Sequence, residues 1–71
     1  MTTREFAVLD MILQGQAPPR YYRFETAYLI AIKMLSYSNG ILLITEKGRD
    51  EHEFYNQPGK RQFLELPQAS L

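Results

Sequence analysis

The sequence contains no cysteine and no excess charge of either sign. Without cysteine it forms neither disulfide bonds nor a thiolate metal site, and small secreted domains usually depend on one of these for stability. We therefore expect a cytoplasmic location. Eight Lys and Arg residues balance eight Asp and Glu residues, so the domain as a whole does not attract polyanions, which disfavours nucleic acid as a partner.

Long apolar segments are also missing. The longest run extends from Ala27 to Ile32, whereas about 20 residues are needed to span a bilayer. The first residues include an acid, Glu5, where a signal peptide carries positive charge, and no small-residue cleavage pattern follows before Gly15. We expect neither a membrane span nor a targeting segment.

The chain does contain enough apolar material for one small core. Its 71 residues are 45% hydrophobic and include nine aromatic residues, which argues for a folded chain because burial of that much apolar surface can offset the entropy of chain ordering. A domain of this length buries only about 60% of the surface that its unfolded chain exposes, so its stability margin is thin. We expect a single α+β domain over residues 1–66 and a frayed tail over residues 67–71.

The first predicted element is a helix that starts at Thr3. Thr2 and Glu5 have the spacing of a capping box, in which the hydroxyl and the carboxylate satisfy free backbone N–H groups. At about 100° per residue, the apolar residues on one side of this helix are Phe6, Val8, Leu9, Ile12 and Leu13. Gly15 would end the helix. A strand over residues 5–14 stays open as an alternative, because apolar residues also alternate there.

A rigid connection and a long central helix are predicted next. Pro18 and Pro19 push the chain toward extended geometry and separate the two helices. The segment from Phe24 to Ser38 is apolar around most of its circumference, which predicts a mostly buried helix. Asn39 and Gly40 would supply the left-handed residue that ends it.

Short strands are predicted after the central helix. Residues 41–45 are apolar and β-branched, and the turn residues 48–50 lead back into residues 51–55, which together predict a hairpin. A second turn precedes residues 61–66, which alternate as a third strand would. The predicted fold class is therefore α+β, with two helices followed by a small antiparallel β-hairpin or a three-stranded meander.

Groups that could carry catalysis are sparse. A domain this small leaves little volume for a substrate cleft of several hundred cubic ångströms. The one histidine, His52, lies between Glu51 and Glu53 on the predicted hairpin, where alternation sends both acids to the face opposite the imidazole. His52 is thus predicted to be a surface or edge histidine rather than a metal ligand. We expect no enzyme, no cofactor and no metal site.

The most unusual local string is Arg20-Tyr21-Tyr22-Arg23, in which two guanidinium groups flank two aromatic rings. Such a set can stack on bases, clamp phosphates or anchor a protein interface. The simpler interpretation is that one tyrosine packs under the helix while the arginines stay solvated.

A stripe on the central helix is a second candidate surface. Leu29 and Tyr37, with Lys33 between them, are predicted to face solvent, and they could contact a partner or form the seam of a homodimer. The predicted sheet also leaves an open edge, and an edge can dock a partner strand.

Two functions are consistent with these features. The first is a small, non-enzymatic regulator or inhibitor that binds a protein partner, which charge neutrality and aromatic richness favour. Inhibitors directed at a host protein by a phage or a plasmid would have this character. The residues predicted to bind the partner are Arg20, Tyr21, Tyr22, Arg23, Leu29, Lys33 and Tyr37.

The second function is regulation of transcription through nucleic acid. Two helices, Asn39-Gly40, a strand, a turn with Lys47 and Arg49, and a second strand resemble the closing half of a winged helix. The opening residues that resemble its first helix are Thr2, Arg4, Glu5, Phe6, Val8 and Leu9. Pro18-Pro19 departs from the pattern, since it stands where the middle helix should be. In this alternative, the residues predicted to bind nucleic acid are Arg20, Arg23, Lys47, Arg49, Lys60 and Arg61.

Overall fold

The computed structural model describes residues 1–65 and shows three helices and one two-stranded antiparallel sheet. The elements are α1 (Thr3–Leu13), a 3-10 turn (Arg20–Tyr22), α2 (Arg23–Ala31), β1 (Leu35–Ser38), β2 (Ile41–Ile44), α3 (Glu46–Tyr55) and a second 3-10 turn (Arg61–Phe63). The mixed α+β class with an antiparallel hairpin is confirmed, but the hairpin pairs residues 35–38 with residues 41–44 and not residues 41–45 with residues 51–55. The predicted arrangement is wrong, because a third helix follows the hairpin. The predicted tail at residues 67–71 lies outside the described residues.

Helix α1 begins as the capping box predicts. The backbone N–H of Glu5 donates to the Thr2 hydroxyl at 3.1 Å, and the Thr2 N–H donates to the Glu5 carboxylate at 3.0 Å. The N–H of Gly15 donates to the carbonyl of Ile12 at 3.0 Å and closes the last turn. Residues 5–13 are therefore helical, and the strand alternative is wrong.

Helix α2 is shorter than predicted, since it ends at Ala31 and the chain turns into the hairpin. Asn39 and Gly40 have φ angles of 52° and 77°. Positive φ at both central residues is what a tight two-residue hairpin loop requires, and Asn-Gly adopts it readily. The pair therefore joins two strands, with Ser38 opposite Ile41, instead of ending a helix.

Residues that were predicted to form the second strand form α3. The Thr45 hydroxyl caps this helix by accepting from the Gly48 N–H at 3.1 Å. Gly48 is buried within α3, and a Cβ atom there would overlap the carbonyl of Met34 and lie 2.8 Å from Cγ1 of Ile44. Gly48 thus serves close packing of α3 on the hairpin and is not a turn residue.

The predicted third strand reduces to a single bridge in the described chain. Residues 61–63 form a 3-10 turn. Glu65 then pairs with the start of the chain. The carbonyl of Glu65 accepts from the Thr3 N–H at 2.8 Å, and the N–H of Glu65 donates to the Met1 carbonyl at 2.9 Å. Leu66, the last residue of the predicted strand, lies outside the described residues.

The core lies where α1, α2 and the start of β1 meet. Its buried cluster consists of Val8, Leu9, Leu29, Met34 and Leu35. Leu29 is 0% exposed, so the prediction that it lies on the exposed face of the helix is wrong. No helix within residues 1–65 is long and apolar enough to cross a membrane.

Candidate partner-binding surface

The exposed side of α2 carries aromatic rings. Phe24 is 71% exposed and Tyr28 is 51% exposed, while Tyr21 in the preceding turn is 62% exposed. Their spacing of three and four residues places them along one side of the helix. We call Tyr21, Phe24 and Tyr28 the aromatic face.

The orientation of α2 explains this exposure. Leu29 is 0% exposed and belongs to the core cluster. Tyr28 is offset from Leu29 by about 100° around the helix, and Phe24 lies one turn before Tyr28. Insertion of Leu29 into the core therefore turns Phe24 and Tyr28 outward. The sequence pattern suggested the reverse orientation, because α2 is apolar around most of its circumference.

The predicted stripe of Leu29, Lys33 and Tyr37 does not form. Leu29 is buried, Lys33 lies in the turn after α2 with a φ of 70°, and Tyr37 lies on β1. The three residues belong to different elements because α2 ends at Ala31. Tyr37 stays exposed and borders a groove that is described below.

Arg4 on α1 holds the predicted Arg/Tyr string in place. Its Nε donates to the carboxylate of Glu25 at 2.8 Å, and its Nη2 donates to the carbonyl of Tyr21 at 2.8 Å. The guanidinium carbon lies 4.7 Å from the centre of the Tyr22 ring. Tyr22 is half-buried against the core, so one tyrosine packs inward while Tyr21 stays exposed. No local sequence signal reveals this role of Arg4, since its hydrogen-bond partners lie 17 or more residues away along the chain.

The contact between Arg4 and Glu25 also shifts the pKa values of both side chains. The pKa of the Glu25 carboxyl lies below its ordinary value, mainly because Arg4 donates a hydrogen bond to the carboxylate. The pKa of Arg4 is raised, chiefly by the same hydrogen bond. The contact thus favours the charged forms of both groups and ties α1 to the start of α2.

A groove with a volume of about 1080 Å³ lies beside α2. The end of α1, the proline connection, α2 and β2 form its walls, and most of the lining side chains are apolar. Arg20, Arg23 and Arg49 are the three charged residues that line it, and no Asp or Glu within the described chain does so. A cleft of this size contradicts the expectation that the domain has little room for one. Among residues 1–65, its lining contains no histidine or carboxylate that could act as a general acid or base.

The other three residues predicted to bind nucleic acid make contacts elsewhere in the chain. Lys47 donates to the carbonyl of Ile32 at 2.9 Å and satisfies the end of α2. Lys60 lies 5.5 Å from the ring centres of Phe54 and Phe63. Arg61 lies over Phe6, at 4.8 Å from the ring centre. The six basic residues therefore do not share one surface.

His52 lies on α3, packed against α1. Its Nε2 is 2.9 Å from Oδ1 of Asp10, and its ring stacks on Phe6 with the ring centres 4.8 Å apart. The prediction of a surface or edge histidine on a hairpin is wrong, because His52 lies on a helix that turns the imidazole toward α1, where its side chain is only 12% exposed. Within residues 1–65, no three or more His, Asp or Glu residues form a cluster that could hold a metal ion.

Comparison with known proteins adds no relative. No protein-family model, curated protein or solved structure matches the chain. The function proposed below therefore rests on the geometry of the surface.

Proposed function

We propose that this chain is a small, non-enzymatic regulator or inhibitor that binds a protein partner through the aromatic face of α2. The observation that carries the proposal is the exposure of Tyr21, Phe24 and Tyr28 along one side of a short helix. Large apolar patches on a small domain are typical of interaction sites. Tyrosine and arginine are also the residues that most often anchor protein interfaces.

Neighbouring groups make the aromatic face suitable for an interface. The Arg23 guanidinium lies 4.7 Å from the centre of the Phe24 ring. Arg4 fixes the backbone of Tyr21, so less conformational freedom is lost when a partner binds. An apolar centre with a charged rim is the usual composition of such interfaces.

Nucleic-acid binding receives less support from the geometry. Residues 35–44, the hairpin that corresponds to a wing, contain no charged residue. The exposed side of α2 presents aromatic rings, whereas a recognition helix presents polar and basic groups to a groove of the duplex. Lys47, Lys60 and Arg61 contact groups of their own chain.

Affinity capture from a cell lysate tests the proposal. We would compare the wild-type chain with Phe24→Ser and use Phe63→Ser as the matched control, since Phe63 is also exposed but lies outside the aromatic face. The expected result is one stoichiometric protein that is retained at high salt and whose capture falls about tenfold or more with Phe24→Ser. Circular dichroism would show that both variants stay folded.

Two results would contradict the proposal. Recovery of nucleic acid alone, released as salt rises, would favour the winged-helix alternative. Equal loss of the captured protein with Phe24→Ser and Phe63→Ser would show that the aromatic face has no particular role.

A further inference from the structure

The outer edge of β2 has unpaired backbone groups. In a hairpin with a two-residue loop, the two residues that flank the loop, here Ser38 and Ile41, form backbone hydrogen bonds with each other. From there, only every second residue of each strand forms backbone hydrogen bonds with the other strand. The Thr45 N–H, which donates to the Met34 carbonyl at 3.0 Å, continues this alternation. Leu42 and Ile44 therefore direct their N–H and C=O groups away from β1, and no other hydrogen bond joins their backbone to the rest of residues 1–65.

The groove runs along this edge. All four residues of β2, Ile41–Ile44, line it, whereas β1 contributes only Tyr37 among the residues described. Successive strand residues point to opposite faces of a sheet. A surface that touches every residue of one strand therefore follows the edge of that strand, so the unpaired groups of Leu42 and Ile44 border the groove.

The charge of the groove selects among possible occupants. Arg20 begins the 3-10 turn before α2, Arg23 is the first residue of α2, and Arg49 lies on α3. None of the three forms an ion pair within residues 1–65. The acids of α3 border a separate, more open depression, which is lined by Glu46, Lys47, Asp50, Glu51 and Phe54. Positive charge is thus concentrated in the groove although the whole chain is neutral.

We infer that the groove binds an extended segment of a protein partner that pairs with the edge of β2 and carries both apolar and acidic side chains. Backbone hydrogen bonds to Leu42 and Ile44 would hold the segment, as in other cases of strand addition. Its carboxylates would meet Arg20, Arg23 and Arg49. Since β2 has four residues, the paired part of the segment is about four residues long. The inference rests on the proposed function in that it assumes a protein partner.

An extended protein segment fits better than single-stranded nucleic acid. Nucleic acid would also meet the arginines, but successive bases need aromatic rings on which to stack. Tyr37 is the one aromatic residue that lines the groove among those described. The unpaired N–H and C=O groups of β2 alternate at the spacing of a peptide backbone.

The test uses randomised peptides of about twelve residues, displayed and selected against the full immobilised chain at physiological salt. We expect the enriched peptides to have net negative charge and alternating apolar residues. The double variant Arg20→Gln, Arg49→Gln should weaken their binding by about tenfold or more. Arg61→Gln is the matched control, because it removes an arginine outside the groove.

A synthetic version of the best peptide separates backbone pairing from charge attraction. Methylation of its alternate backbone nitrogens removes half of the N–H donors while it keeps every side chain. Of the two possible methylated sets, we expect one to lose binding about tenfold or more and the other to retain it, because only one set faces β2. Amide resonances of Leu42 and Ile44 should shift on binding and exchange more slowly with solvent.

Several results would overturn the inference. These are an absence of enriched peptides, enrichment of neutral or basic peptides, and equal effects of the two methylated sets. Tighter binding of a single-stranded oligonucleotide that depends on the same arginines would make nucleic acid the occupant. Concentration-dependent self-association that shifts the Leu42 and Ile44 amides would make a second copy the occupant.

Failure here is distinguishable from failure of the proposed function. A partner that is captured equally by wild type and by Arg20→Gln, Arg49→Gln, but is lost with Phe24→Ser, would preserve the proposed function and remove the edge as a site. A chain that captures no protein would remove the proposed function itself.

Discussion

Phe6 on α1 and Phe24 on α2 are both helical aromatic residues, yet their surroundings differ. Phe6 is buried, stacks on His52 and lies under the guanidinium of Arg61. Phe24 is exposed, and the guanidinium of Arg23 on the same helix lies 4.7 Å from the centre of its ring. Helix α3 covers the first ring, whereas no described element covers the second.

The fold of this chain thus buries one helical phenylalanine, Phe6, but leaves the aromatic face exposed to solvent. Burial of one large apolar side chain contributes about 1.5–3 kcal/mol, which matters in a domain with a thin stability margin. Folding within residues 1–65 gains little from Phe24 and Tyr28. Partner binding would give these rings a role. Four predictions test whether the buried side chains, such as Phe6 and Leu29, and the exposed aromatic face act independently.

The largest expected effect separates two adjacent residues of α2. Leu29→Ala should destabilise the fold by about 2–5 kcal/mol, because it leaves a cavity in the core. Tyr28→Ala, its matched control on the exposed side, should change stability by no more than about 0.5 kcal/mol. Urea unfolding followed by circular dichroism measures both. Similar losses for the two variants would show that the described orientation of α2 is wrong.

Gly48→Ala should have the second-largest effect. Alanine normally favours a helix interior over glycine by about 1 kcal/mol. Here the added methyl group would meet the Met34 carbonyl and the Ile44 side chain, and such overpacking costs about 1–3 kcal/mol. We therefore expect a net loss of stability, measured by thermal unfolding.

The test depends on whether Gly48→Ala lowers or raises the free energy of unfolding. Glu53→Ala is the control, because Glu53 is exposed on the same helix. This substitution should be neutral or slightly stabilising. A stabilising Gly48→Ala would mean that α3 does not approach the hairpin as closely as described.

Local signals account for the parts of the fold that the sequence predicted. The capping box at Thr2 and Glu5 was readable because both partners lie within one turn. Asn39-Gly40 was equally local, but it was interpreted as a helix end although Asn-Gly is also a strong hairpin signal. The α3 helix was missed because Gly48 suggests a turn, and only its contact with Met34 explains a glycine there.

The candidate surface was predictable only in part. Arg20, Arg23 and Tyr21 stood out as a local string, and the structure places both arginines at the groove. The outward orientation of Phe24 and Tyr28 was not predictable, because apolar residues surround most of α2 and tertiary packing decides which of them is buried. Arg4 was missed for a related reason, since its partners come from a distant part of the chain.

A moderate effect is expected on the covered side. His52→Ala removes the ring that stacks on Phe6 and the hydrogen bond to Asp10, which should cost about 1–2 kcal/mol in urea unfolding. His52→Gln should recover part of this loss, because its amide can still donate to Asp10. Partner capture should be unchanged in both variants, since His52 packs on Phe6 and Asp10 of α1 and is not part of the aromatic face. Loss of capture would mean that the two regions are not independent.

The smallest effect concerns Glu25, whose ion pair with Arg4 links α1 to α2, the helix that carries most of the aromatic face. Its carboxyl pKa is lowered in the folded chain, mainly by the hydrogen bond from Arg4. A lowered folded-state pKa stabilises the protein above the pKa of the unfolded chain, and the contribution disappears as pH falls through the folded-state value. Glu25→Gln should therefore reduce stability at neutral pH, and the difference from wild type should shrink as pH falls below about 4.

Urea midpoints between about pH 3 and about pH 7 measure that difference. High salt should reduce it, because the pair is partly exposed and screened. Glu53→Gln is the control, since Glu53 forms no ion pair within residues 1–65. A Glu25→Gln difference that stays constant over this pH range would assign the loss to packing. Arg4 would then hold Tyr21 only through the hydrogen bond to the Tyr21 carbonyl. The aromatic face would depend less on α1 than the Arg4–Glu25 ion pair implies.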